Sequence, residues 1–318
     1  ALRHRHFKTS AVRAPGDAVS ARRYVLGNED LLIGVASPTE SMKYFFRNGD
    51  GDELLFVHRG QGTLQTQFGP LAFGPGDYLV IPAGTIYRVE LHTPDVKFLV
   101  VETASWITTP KRYRNEFGQL LEYSPFCERD IRAPGTPLTF DEEGEFEIRT
   151  KSGGMVHVHV MRHHPFDVVG WDGYLYPWAF NIADFEPITG RIHMPPPVHQ
   201  TFEGENFVIC SFVPRLFDYH PEAIPAPYYH SNVDSDEVLY YVEGNFMSRR
   251  GIEEESITLH PLGIPHGPHP GTIEASIGKA ETKELAVMID TFRPLKVVKS
   301  ALAFEDPGYP TSWVERRG

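Results

Sequence analysis

Histidine and acidic residues cluster in several places along this chain. His230 leads into Asn232, Asp236 and Glu237 in HSNVDSDE, and His266 follows in LHPLGIPHGPH. His157, His159, His163 and His164 form a second group in HVHVMRHH, and His199 stands alone after a proline run. Imidazole and carboxylate are the usual ligands of borderline divalent metals, and a neutral imidazole is the usual general base. Thiolate chemistry has little to build on. The two cysteines, Cys127 and Cys210, can make neither a disulfide framework nor a Cys-rich zinc site.

The first group sits in a frame that occurs twice. Glu53 is followed six residues on by Gly60, then by the segment Pro82-Ala-Gly84-Thr-Ile-Tyr87. Glu237 is followed at the same distance by Gly244, then by Pro261-Leu-Gly263-Ile-Pro-His266. Asn48 and Asn232 each stand five positions before the glutamate. Such repetition argues for duplicated supersecondary units. Each glycine permits a positive-φ turn at a strand end, and each Pro-x-Gly turn aims the residue three further on back into the fold. Asp236 and Glu237 both precede the same apolar run, and only Glu237 meets the spacing to glycine. No carboxylate or glycine frame follows His157 and His159, so that segment reads as a half-exposed strand face rather than a metal site.

The elements that must position these groups read as strands. DELLFVHRGQGTLQTQF, GDYLVIPAGTIYRVELHT, ENFVICSFV, DEVLYYVEGNF and ELAVMIDTF are short β-branched and aromatic runs bounded by Gly, Asn, Asp and Pro. No sustained 3.6-residue pattern occurs. The expected fold is all-β with two lobes. Residues 1–20 read as an N-terminal arm, 21–105 as one lobe and 106–150 as a Pro-rich linker or arm. Residues 151–296 read as the second lobe and 297–318 as a tail. Composition is ordinary for a globular protein, with 41% hydrophobic and 23% charged residues. The formal charge of −12, without a long basic run, makes nucleic acid and anionic membranes poor partners. No apolar run is long enough to span a membrane, and the start shows no charged head with an apolar core. A reduced cytoplasm fits these features.

The frame E-x6-G with P-x-G-x2-[H/Y] resembles the cupin family of jelly-roll barrels over most of 20–105 and 150–296, which implies a bicupin. Against the cupin metal motif, the second lobe supplies His230, Glu237 and His266, with Asn232 where a second His is usual. Two imidazoles and one carboxylate make a facial triad with adjacent open positions, the arrangement non-haem Fe(II) oxygenases use. In the first lobe Phe46 and Tyr87 stand where the histidines would be. That lobe is therefore expected to be metal-free.

PFDVVGWDGYLYPWAFNI, PAPYYHSN and LHPLGIPHGPH together resemble the homogentisate 1,2-dioxygenase family. The resemblance implies His230, Glu237 and His266 as Fe(II) ligands and His199 as the catalytic base. It places Tyr228, Tyr229 and Asn232 about the substrate, and His260, six residues before His266, either about the substrate or as a donor behind a ligand. The family's Lys near the substrate carboxylate is replaced here by Arg249, and a family Tyr by Phe246, so the chain reads as a divergent member. The implied reaction is cleavage of homogentisate by O2 to maleylacetoacetate, in tyrosine and phenylalanine catabolism, by a homo-oligomer (trimer or hexamer). Three other readings compete: a dioxygenase for a related acid such as gentisate, a metal-free bicupin that binds or stores a ligand, and a Mn- or Zn-dependent cupin isomerase.

Overall fold

The computed structural model describes residues 2–193, 196–244, 246 and 251–314. Strands dominate, and the one α-helix among the described residues, Thr272–Ser276, is five residues long. Among the described residues, no helix is long and apolar enough to cross a membrane. The all-β expectation holds. The chain forms two compact units: Arg13–Thr108 with Cys127–Asp184, and Ala1–Val12 with Thr109–Phe126 and Phe185–Gly318.

The first unit is built on two sheets. One runs in spatial order Ile131–Arg132, Trp178–Asn181, Asp77–Ile81, Glu53–Arg59, Lys97–Thr103, Leu31–Ala36 and Arg22–Gly27. The other runs Met155–His163, Glu143–Ser152, Phe45–Asn48, Tyr87–Leu91, Gly62–Thr66 and Gly69–Phe73. Alternate residues of a strand face opposite sides. Leu55, Val57, Leu79, Phe98 and Val100 from the first sheet thus meet Leu64, Phe73 and Tyr87 from the second in one buried core. Lys97–Thr103 is buried along its whole length, which is why KFLVVET lacks a polar alternation.

The second unit repeats the first sheet's order. Its antiparallel sheet runs Arg5–Lys8, Ser256–His260, Asp236–Glu243, Leu285–Thr291, Phe207–Phe212 and Gln200–Gly204. A short pair, Arg215–Leu216 with Glu281–Thr282, adds to it.

The division differs from the expected one in two places. Residues 127–184 belong to the first unit, whereas a linker and the start of the second lobe were expected there. Glu143–Ser152 pairs in parallel with Phe45–Asn48, and Trp178–Asn181 pairs with Asp77–Ile81. The N-terminal arm is also a strand, Arg5–Lys8, on the Ser256–His260 edge of the second unit. A strand's sequence shows that it is a strand but not which sheet edge it will join.

The duplicated frame has a shared construction. Its four glycines, Gly60, Gly84, Gly244 and Gly263, all have positive φ. The amide of Gly84 donates to the Asn48 carbonyl at 2.8 Å, and that of Gly263 to the Asn232 carbonyl at 2.7 Å. The Asp52 carboxylate accepts from the amides of Ala83 and Ile107, each at 2.8 Å. Asp236 does the same with Leu262 and Leu295, each at 2.7 Å. Each aspartate thus ties the Pro-x-Gly turn to the strand that carries the neighbouring glutamate.

Candidate metal centre

Asp236 and Glu237 are consecutive in one strand, so their side chains leave it on opposite sides. With both Asp236 oxygens on backbone amides, Glu237 is the carboxylate turned inward. Its backbone neighbours are His260 on one side and Asp290 on the other. His230 and His266 face one another across an antiparallel bridge, each amide bonded to the other's carbonyl at 2.9 and 2.8 Å. The Pro-x-Gly turn therefore brings His266 back beside His230.

Ligand atoms of His230, Glu237 and His266 all lie within 4.8 Å of one another, the single such group among the described residues. His230 Nε2 is 3.9 Å from Glu237 Oε2, and His266 Nε2 is 3.5 Å from Glu237 Oε1. Two atoms each ~2.1 Å from a shared ion lie roughly 3 Å apart at cis angles and about 4.2 Å at most, so His266 and Glu237 stand near that spacing and the three groups would draw in slightly around a common metal.

The hydrogen bonds behind the rings give a stricter test. His230 Nδ1 contacts the Tyr228 carbonyl at 3.0 Å, and His266 Nδ1 the Ile264 carbonyl at 3.1 Å. A carbonyl only accepts, so both Nδ1 atoms carry a proton, and each ring turns its Nε2 toward Glu237. His266 Nε2 is buried and makes no hydrogen bond. Two oriented imidazole lone pairs beside a carboxylate form a donor set that fits a divalent metal.

Behind the glutamate lies a relay. His260 Nδ1 donates to Glu237 Oε1 at 2.7 Å, and Tyr309 Oη donates to His260 Nε2 at 3.0 Å. Burial alone would push the Glu237 carboxyl up. Contacts from His230, His260 and His266 outweigh this and hold it well below the usual carboxylate range. His260 is thus a buried partner of Glu237 rather than a group lining the cavity. Its ring stacks on His266 at 4.6 Å. His4 closes the cluster from the N-terminal segment, with Nε2 3.1 Å from the Pro265 carbonyl and its ring edge-on to His260.

A cavity of about 980 Å³ opens onto His230 and Glu237. His199 lines it, buried, and its Nδ1 has no hydrogen-bond partner. Burial first, then Arg215 and His193, pushes the His199 imidazole down to about 3, so it is neutral at physiological pH. Tyr228, Tyr229 and Asn232 also line the cavity. Both tyrosines are more than half exposed, and Tyr229 Oη donates to the Pro268 carbonyl at 2.8 Å. Phe246 is buried against Tyr241 at the wall. Arg249 lies outside the described residues. His157 and His159 are exposed on Met155–His163 in the first unit, with no metal-ligating group of the kind formed around Glu237.

Sequence reasoning missed Asp290 and Arg215, which share the cavity wall. Burial, then Glu237, pushes the Asp290 carboxyl up to about 8. It also missed His4, Tyr309 and Trp313, because the chain termini carried no frame. The alternation of His4-Arg5-His6-Phe7 was the available signal for the first of these.

A family model described as "Homogentisate 1,2-dioxygenase N-terminal" matches residues 19–182. That range ends where the first unit ends, so the metal-ligand group lies beyond it. The protein named "Putative dioxygenase SSO1533" from Saccharolobus solfataricus is 43% identical over 314 residues, covering 98% of this chain and 81% of that one. Homogentisate 1,2-dioxygenase of Emericella nidulans is 28% identical over 264 residues, covering 77% of this chain and 56% of that protein. The enzyme of the same name from Rhodopseudomonas palustris strain BisA53 is 29% identical over 287 residues, covering 84% and 62%. The chain thus spans less than two thirds of the length of either homogentisate enzyme. Among solved structures, a cupin 2 conserved barrel domain protein from Leptotrichia buccalis aligns with a TM-score of 0.42 and 11% identity, over 92% of this chain and 98% of that one.

Proposed function

The chain belongs to the homogentisate 1,2-dioxygenase family, and from that premise we propose that it is an Fe(II)-dependent dioxygenase that opens the ring of homogentisate to give maleylacetoacetate. The observation that carries this reading is the pair of imidazoles, each held at Nδ1 by a backbone carbonyl, beside one carboxylate at the edge of a cavity large enough for a small aromatic acid. Fe(II) held by His230, Glu237 and His266 would supply adjacent open positions for a phenolic oxygen and for O2.

The remaining work falls to the chain's own residues. His199, neutral and desolvated on the cavity wall, takes the phenolic proton at a ring nitrogen. Arg215 lines the same cavity and, with Arg249, holds the side-chain carboxylate, so that the ring carbon beside it meets O2. Tyr228 and Tyr229 confine the ring. Tyr309 and His260 keep Glu237 ionised and aimed. A cytoplasmic homo-oligomer acting in tyrosine and phenylalanine catabolism is part of the same proposal.

Anaerobic loading with Fe(II), followed by addition of substrate in air-saturated buffer, tests it. Oxygen uptake is expected with homogentisate and far less with gentisate. Absence of uptake with homogentisate by the iron-loaded protein would sink the reading. His199→Ala is expected to keep the metal and to lower turnover by ~100-fold or more. Loss of metal in that variant would instead make His199 a ligand.

A further inference from the structure

The strand Met155–His163 ends the second sheet of the first unit, paired on one side with Glu143–Ser152. It is exposed on both faces, with Met155, Val156, Val158 and Val160 each more than half accessible. Long apolar edge strands of this kind are templates for another strand and are normally blunted by charge, proline or a bulge. Residues 155–161 carry none of these along the free edge.

The residue order says which strand fits. Met155-Val156-His157-Val158-His159-Val160-Met161 is a palindrome centred on Val158. An antiparallel pair about a twofold axis at Val158 sets Val158 on Val158, Val156 on Val160, His157 on His159 and Met155 on Met161. Directly opposed residues share a face, so valines meet valines on one side and imidazoles meet imidazoles on the other. A slip by one residue would set valine against histidine throughout. The same register carries Arg162 of one copy opposite Gly154 of the other. The amides of Gly153 and Gly154 are held by the Asp50 carboxylate at 2.6 and 2.9 Å, so the arginine arrives beside an acid, twice per pair. Arg162 has only an exposed ion pair with Glu145 to give up.

We propose that this edge joins a second copy of the chain by antiparallel pairing of the two Met155–His163 strands about Val158. The contact is isologous and continues the sheet from one copy into the next. It does not depend on the reaction proposed above.

Cross-linking through single cysteines tests both contact and register, because Cys127 and Cys210 are buried and the unaltered chain serves as the control. Val158→Cys is expected to give a covalent dimer on mild oxidation. Val156→Cys alone places the two sulfurs about four residues, or ~14 Å, apart and should stay unlinked. A mixture of Val156→Cys and Val160→Cys chains should link. Val158→Lys puts like charges on the axis and is expected to weaken association at least ~10-fold, halving the largest mass seen by sedimentation. The position is exposed, so each variant should keep the unaltered chain's melting temperature. Equal linking by Val156→Cys and Val158→Cys, no linking by either, or an unchanged mass for Val158→Lys would each overturn the proposal.

Discussion

Glu53 and Glu237 occupy one place in two sheets of the same strand order, yet the first faces a cation built into the chain and the second faces two imidazoles. In the first unit, Phe46 and Tyr87 pair in register as His230 and His266 bridge in the second. Tyr87 Oη donates to Glu53 at 2.6 Å, and the buried guanidinium of Arg22 bonds both Glu53 and Tyr87. The acids beside the glutamates differ in the same way. Glu102, opposite Glu53, is held by Arg22, Tyr24 and Lys151. Asp290, opposite Glu237, has a buried Oδ1 with no hydrogen-bond partner. A buried carboxylate must have its charge met. One unit meets it permanently with arginine. The other leaves oriented lone pairs where a metal can meet it.

The largest expected effect is on metal content. Glu237→Ala or His266→Ala should reduce bound iron, measured by elemental analysis, to below about a tenth of the unaltered level. Glu53→Gln should leave it unchanged. A folded Glu53→Gln variant that lost its iron would break the contrast between the units.

Stability should show the opposite order. Glu53→Ala removes the nearer of the two carboxylates on the buried Arg22, leaving only Glu102 at 3.4 Å, and is expected to cost about 3–5 kcal/mol in denaturant unfolding. The double change Arg22→Met with Glu53→Leu should recover most of that. Glu237→Ala in metal-free protein should cost less, because it also removes the carboxylate facing Asp290. Equal losses would mean that the Glu53 cluster is not the structural substitute described.

A smaller effect concerns Lys97, whose ammonium burial, helped by Arg13 and Arg59, pushes down to about 7. Unfolded, the same group titrates near 10.4. Its folded value is the lower one, so the folded state binds protons less readily. Stability from this group is present above the unfolded value and is lost as pH falls through about 7. Lys97→Met should therefore stabilise by about 2–4 kcal/mol at pH 6 and by little at pH 10.5, read from unfolding at both pH values. A pH-independent gain would show that packing, not charge, limits that site.

Much of the metal centre was legible because its parts are local. Glu237, Gly244, Pro261, Gly263 and His266 belong to one strand, one turn and one return, and such units impose fixed spacings. Even the choice of Glu237 over Asp236 follows from strand alternation once the aspartate's two amide partners are seen. Arg22 was not legible, since an arginine on a strand ordinarily points to solvent. Only the pairing of Arg22–Gly27 beside Leu31–Ala36 folds its guanidinium inward. The spacing of His260 from His266 left open whether it lines the cavity or stands behind a ligand, and register sets it beside Glu237.

By itself, then, the sequence determined the strand periodicity, the doubled turn and the three donors, all set by interactions within a few tens of residues. The tertiary structure decided which sheet each edge strand joined, which groups face each buried glutamate, and how His4 and Tyr309 come to stand behind the candidate ligands. Those outcomes depend on contacts between residues up to three hundred positions apart. Hydrogen-bond pairing and burial choose among such contacts, and no local pattern encodes them.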